Sequence, residues 1–238
     1  MPNPFFQFKQ FVVYHDKCAM KVGTDGVLAG AWTRVENARR MLDIGTGSGL
    51  IALMLAQRNT TASIVAVDID EGAVVQAREN VERSPWKHRI EVCREDIRHV
   101  PEDWGTFDVI VSNPPYFVED VKCPQRQRNT ARHTDDLDFE ALLSAVARLL
   151  SDCGTFSVIL PAAAAADFIA LALGKGLFLS RQTWVHPREE LAAKRVLMAF
   201  GRNPLPETEV THLVIESSVR HVYTPEFENL ARPFYLAL

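Results

Sequence analysis

The sequence predicts an α/β fold: a mostly parallel, doubly wound sheet with an antiparallel edge toward its C-terminal end. From Met41 to Leu160, short apolar and β-branched runs alternate with helix-forming stretches of roughly ten residues, the pattern of right-handed βαβ units. A glycine-rich turn opens the first of those helices. After Leu177, three strand-like runs follow one another with little helix between them, which favours antiparallel pairing.

Met41–Ile44 reads as a short buried strand, broken by Gly45-Thr46-Gly47-Ser48-Gly49, and Leu50–Arg58 then carries apolar residues on one helical face. Ser63–Val67 is a second strand and Gly72–Arg83 a second amphipathic helix. Arg89–Cys93 and Phe107–Ser112 make the third and fourth strands, the latter closed by Asn113-Pro114-Pro115-Tyr116. Phe139–Leu150 is helical, and Thr155–Leu160 is a fifth strand stopped by Pro161. The short alanine run from Ala162 to Ala166 sits in a helical pattern. Leu177–Val185, Arg195–Gly201 and His212–Ser217 are the tail strands. Residues 1–40 are expected to fold over a core of residues 41–238, and no linker divides residues 1–238 into separate domains.

With 238 residues, 47% hydrophobic and 24% charged, the chain has ordinary globular composition, which excludes disorder, collagen and coiled coil. No apolar run approaches the roughly 20 residues that span a bilayer, so no membrane partner is expected. The start, Met1 to Phe6, lacks the basic and apolar regions of a signal peptide. Four well-separated cysteines, Cys18, Cys93, Cys123 and Cys153, suggest neither a disulfide framework nor a metal site, and a cytoplasmic setting is expected. Cys93 and Cys153 border strands and are expected to be buried. The net charge of −4 does not by itself favour a polyanionic partner.

The turn from Asp43 to Gly49 has G-x-G-x-G spacing, not the G-x-G-x-x-G of dinucleotide folds. Gly45 and Gly47 let a ligand approach the backbone closely. Asp43 beside them repels a pyrophosphate but attracts an ammonium-bearing ligand, which favours S-adenosyl-L-methionine over NAD. Asp68 ends the second strand, where a carboxylate accepts both ribose hydroxyls. Asp96, after the third strand, suits an adenine exocyclic amine, with Ile97 packed on the ring. Asp70 is placed to cap the helix that follows.

In Asn113-Pro114-Pro115-Tyr116 the prolines stiffen the turn and remove two backbone donors. The Asn113 amide oxygen and the Pro114 carbonyl are two acceptors that suit a planar NH2 group. As that nitrogen attacks a methyl sulfonium its hydrogens become more acidic, and fixed acceptors stabilise the developing charge. Tyr116 offers a face on which a planar base stacks.

Together these residues resemble the class I S-adenosylmethionine-dependent methyltransferases that modify amino groups. The segments Phe8–Phe11 and His15–Gly26 resemble, more narrowly, the bacterial tRNA(Val) adenine N6-methyltransferase family, with further similarity at Gly30-Ala31-Trp32, Gln57-Arg58, Ser84-Pro85-Trp86, Gln125-Arg126 and Phe234-Tyr235-Leu236. The resemblance implies a seven-stranded Rossmann-like sheet and methyl transfer to N6 of the adenosine 3′ of the anticodon in a valine tRNA. It also implies a place near the methyl donor for Lys21, Thr24 and Asp25, and no obligate protein partner is evident.

Lys122, Arg126, Arg128 and Arg132 give a local basic excess just after the proposed catalytic turn, where they would clamp RNA phosphates. Lys9, Lys17 and Lys21 would extend that surface. The alternatives are an rRNA guanine N2-methyltransferase, a protein glutamine methyltransferase, and a non-catalytic nucleotide-binding protein or dehydrogenase sharing only the winding. The DNA-adenine enzymes usually add a recognition domain for which this chain has little room.

Overall fold

The computed structural model describes residues 3–18, 20–115, 138–219 and 222–237. The chain opens with an antiparallel hairpin, β1 (Phe5–Gln7) and β2 (Val12–Tyr14), followed by helix α1 (Thr24–Trp32). The large sheet starts at β3 (Arg40–Ile44) and grows to one side through α2 (Leu50–Arg58), β4 (Ser63–Asp68), α3 (Glu71–Glu82) and β5 (Ile90–Arg94). β6 (Phe107–Ser112) then pairs with the opposite side of β3, and α4 (Phe139–Leu149) leads to β7 (Leu150–Pro161). The tail comprises α5 (Ala165–Gly174), β8 (Phe178–Arg188), β9 (Arg195–Gly201), β10 (Glu209–Glu216) and α6 (Pro225–Ala231).

The sheet has eight strands in the order β10-β8-β9-β7-β6-β3-β4-β5. Eight matches the number of strand-like runs in the chain and corrects the seven implied by the family resemblance. Strands β3 to β7 pair in parallel, and β9 is antiparallel to both of its neighbours, as the lack of crossover helices in the tail predicts. One tail pairing differs. β10 lies outside β8 and runs parallel to it, because the connection after β9 carries the chain past β8 instead of back along β9.

Apolar side chains cover both faces, as a parallel sheet requires. On one face Met41, Ile64, Val109 and Val111 pack under α1, α2, α3 and α6; on the other, Leu42, Ile44, Ile110 and Phe156 pack under α4 and α5. The hairpin joins the first of these cores. Phe8 is fully buried against Phe11 and Tyr235, and the Lys9 amide donates to the Phe234 carbonyl at 2.8 Å. The N-terminal extension therefore packs against the C-terminal residues as well as over the sheet.

Candidate active site

The switch point of a doubly wound sheet, where successive crossovers leave in opposite directions, opens a crevice at the carboxyl ends of the strands. Here it falls between β3 and β6, and a cavity of about 360 Å³ occupies it. Its floor is formed by Ile44, Gly45 and Gly47 after β3, Asp68 at the end of β4, Asp96 and Ile97 after β5, and Ser112 to Pro115 at the end of β6. Cys18 and Met20 come from the N-terminal extension.

The glycine loop is held by its neighbour strand. The Gly45 and Thr46 amides both donate to the Val67 carbonyl at 2.9 Å. Gly45 and Gly47 adopt φ of 72° and 55°, in the left-handed region that costs other residues about 1–2 kcal/mol. A Cβ at either position would meet nothing within 4 Å, so the backbone there faces open space. Asp68 accepts from the Gly47 amide at 2.9 Å and from the Asp70 amide at 3.0 Å, which fixes its carboxylate at the cavity wall. Asp70 caps α3 by accepting from the Ala73 amide at 2.7 Å.

Asp43 is placed differently. It is fully buried under the loop, where one oxygen accepts from the Thr46 hydroxyl at 2.6 Å and from the Ala52 amide at 3.1 Å. Its Oδ1 has no partner among the described residues, and burial pushes the carboxyl up to about 7. It meets the loop and the start of α2, not the cavity.

Asp96 sits at the opposite electrostatic extreme. The Arg98 guanidinium donates to both of its oxygens at 2.7 to 2.9 Å, the Arg98 amide donates at 3.0 Å, and the carboxyl is held down at about 2. Ile97 beside it is buried and lines the cavity. The Cys18 thiol is raised to about 11, by burial first and then by the charges of Asp68 and Asp70, so it stays a weakly nucleophilic thiol at neutral pH.

Asn113, Pro114 and Pro115 lie at the cavity, immediately after Ser112, whose hydroxyl donates to the Ile44 carbonyl at 2.9 Å. That bond ties the end of β6 to the end of β3. Tyr116, Lys122, Arg126, Arg128 and Arg132 lie outside the described residues. Lys21 does not line this cavity, and Thr24 and Asp25 line a second one. The Lys17 ammonium is paired with Glu79, and the Lys9 ammonium donates to the Arg232 carbonyl at 2.7 Å.

Two residues that motif reasoning passes over hold the extension in place. Asn80, buried on α3, accepts from the Tyr14 amide at 3.0 Å and donates to the carbonyls of Tyr14 and Ser48, both at 2.8 Å. Gln76, one turn earlier, accepts from the Lys17 amide at 3.0 Å. The available signal was a pair of amides four residues apart on an otherwise apolar helix face. Gly72 completes the contact, since a Cβ there would lie 2.8 Å from the Lys17 carbonyl oxygen.

Trp32, Trp86 and Trp104 serve packing. Trp32 lies under the Arg181 guanidinium at 3.5 Å and donates to Thr183 at 2.9 Å. Trp86 packs edge-on to Phe11, and Trp104 edge-on to Phe107. Against the expectation of burial, Cys93 is half-buried, and Cys153 is exposed, because it lies with the exposed Asp152 on a stretch of β7 that no described element covers. Among the described residues no group of His, Cys, Asp and Glu is arranged to hold a metal, and no helix is long and apolar enough to cross a membrane.

Comparison with known proteins gives the family and a shared fold. Residues 23–151 match the methyltransferase small domain. A tRNA1(Val) (adenine(37)-N6)-methyltransferase from Phocaeicola vulgatus is 56% identical over 99% of each chain. One of the same name from Bacteroides fragilis is 52% identical over 100% of each. A solved structure, a predicted O-methyltransferase from Agrobacterium tumefaciens, shares the fold with a TM-score of 0.70 at 21% identity, over 88% of this chain and 96% of that one. The chain belongs to the family of tRNA1(Val) (adenine(37)-N6)-methyltransferases.

Proposed function

We propose that this protein transfers the methyl group of S-adenosyl-L-methionine to the exocyclic N6 of adenosine 37 in a valine tRNA. The observation that carries the reading is the position of Asn113-Pro114-Pro115 at the wall of the switch-point cavity, on the strand end next to the glycine loop.

The cavity fits the donor. Gly45 and Gly47 leave room where side chains would intrude, Asp68 presents a fixed carboxylate suited to a ribose diol, and Ile97 offers an apolar surface for adenine. Asp96 would accept from the adenine amine while remaining clamped by Arg98. Asp43 supports the loop from beneath. When bound, the donor supplies an electrophilic methyl on a sulfonium.

The chain's own contribution is to orient the amine. Asn113 Oδ1 and the Pro114 carbonyl accept its two hydrogens, which draws the nitrogen lone pair out of conjugation and stabilises the charge that develops on attack. Both prolines lack an N–H that would compete for these acceptors. The neutral Cys18 thiol does not compete as a nucleophile. A base stacked on Tyr116 and phosphates held by Lys122, Arg126, Arg128 and Arg132 complete the proposal, and a tRNA substrate supports a cytoplasmic location.

The test is methylation of a transcribed valine tRNA with labelled donor, followed by digestion to nucleosides. N6-methyladenosine is expected; N2-methylguanosine, or no product, overturns the reading. Asn113→Ala should lower kcat by about 10²–10³ while leaving S-adenosylhomocysteine affinity within about twofold. Equal loss of both would remove Asn113 from the chemistry.

A further inference from the structure

A second cavity, of about 420 Å³, opens on the same edge of the sheet. Residue pairing shows why the two share an edge. Pro161 at the end of β7 faces Arg195 at the start of β9, Arg195 faces Val185 near the end of β8, and Glu216 at the end of β10 faces Arg188. The lining includes Thr24, Asp25, Lys194, Arg195, Glu216 and Tyr223. None of these was singled out as an RNA contact by its place in the sequence.

Its chemistry differs from that of a phosphate site. Arg195 donates to Asp25 at 2.8 Å, and Arg188 lies 3.5 Å from Glu216. By formal count the two carboxylates of the lining, Asp25 and Glu216, match its two cations, Lys194 and Arg195, with Arg188 pairing Glu216 from outside it. Tyr223 is 37% exposed and rests on Phe227, itself buried, with ring centroids 4.8 Å apart. A charge-balanced recess with a supported aromatic face and both donors and acceptors suits an uncharged planar group that carries donors and acceptors of its own, which describes a nucleobase. The exposed Lys194 is then available to a neighbouring phosphate.

The spacing suits one strand of RNA. Met20 lines the first cavity and Thr24 the second, so the two approach within about 14 Å, four residues of extended chain. Single-stranded loops splay their bases and present them to such recesses. We propose that the second cavity takes an unstacked base of the same anticodon loop, near the adenosine that is methylated, with Tyr223 as its stacking surface. This inference rests on the reading of the first cavity as an RNA adenine site.

The experiment uses full-length protein and transcribed valine tRNA. Tyr223→Ala should raise KM for tRNA about tenfold, and Tyr223→Phe should restore it, with kcat and S-adenosylhomocysteine affinity within about twofold of wild type. Transcripts with one abasic loop nucleotide at a time, the target excepted, should reveal a position whose loss is severalfold smaller in Tyr223→Ala than in wild type, as shared partners require. Lys194→Ala should reduce the salt slope of binding by about one. A wild-type KM in Tyr223→Ala, or losses that add at every position, overturns the inference. If Tyr223→Ala does not fold, an abasic series flat in wild type together with an unchanged salt slope in Lys194→Ala does the same. If wild-type protein leaves the transcript unmethylated, the proposed function itself fails and takes this inference with it; if only the variants behave as wild type, the function stands and the second base site falls.

Discussion

The two cavities on the carboxyl edge of the sheet are of similar size, about 360 and 420 Å³, and are built by opposite means. At the switch point, polar groups are fixed over short separations, with backbone amides taking part: Asp68 by the amides of Gly47 and Asp70, 21 and 2 positions away, and Asp96 by the amide and guanidinium of Arg98. Near β8 to β10, side chains hold side chains across long separations, as when Arg195 meets Asp25, 170 positions away. Backbone amides cannot rearrange without loss of the loop, whereas partly exposed ion pairs exchange readily with solvent or ligand. The first cavity is therefore suited to one invariant ligand, and the second to a contact that tunes affinity.

The largest expected effect lies beneath the first cavity. Asp43 rises from 3.8 to about 7, which corresponds to roughly 4 kcal/mol of stability at about 1.4 kcal/mol per pH unit. The folded protein holds this proton where the unfolded chain has released it, so stability should fall as pH rises from about 4 to about 7. Asp43→Asn should remove that dependence. Denaturant titrations across the range check it, and parallel curves for the two proteins would show that the buried carboxyl is not the source.

Asp68→Ala comes next. It removes the acceptor for two backbone amides and for the proposed ribose contact, so S-adenosylhomocysteine affinity should fall about a hundredfold by calorimetry. An effect below about threefold would place the ribose elsewhere in the cavity.

The smallest effect sharpens the contrast from the other side. The Asp25–Arg195 side chains are 24% and 32% exposed, so a double-mutant cycle on thermal stability should give a coupling below about 1 kcal/mol. A coupling of several kcal/mol would mean that the second cavity is as rigid as the first and that the difference between them is one of position only.

Legibility in the sequence followed the same division. The glycine loop, Asp68, Asp70, Asp96 and Asn113-Pro114 are legible because each sits at a strand end, and strand ends are marked by local patterns of composition and turn residues. Asn80 and Gln76 were harder to find, since a buried amide on a helix gains its meaning only from the segment it touches. Thr24 and Asp25 line the second cavity and not the first, a distinction no linear pattern carries.

By itself the sequence determined the alternation of strands and helices, the parallel core, the antiparallel turn in the tail and the family, because periodicity and short motifs are local properties that survive without contacts. Tertiary structure decided the remainder: the parallel pairing of β10 with β8, the burial of Asp43 under its loop and away from the cavity, and a second cavity assembled from residues near positions 25, 195 and 223. Each of these depends on which distant residues come within a few ångströms of one another, and that is settled only when the sheet closes its order and both faces are covered.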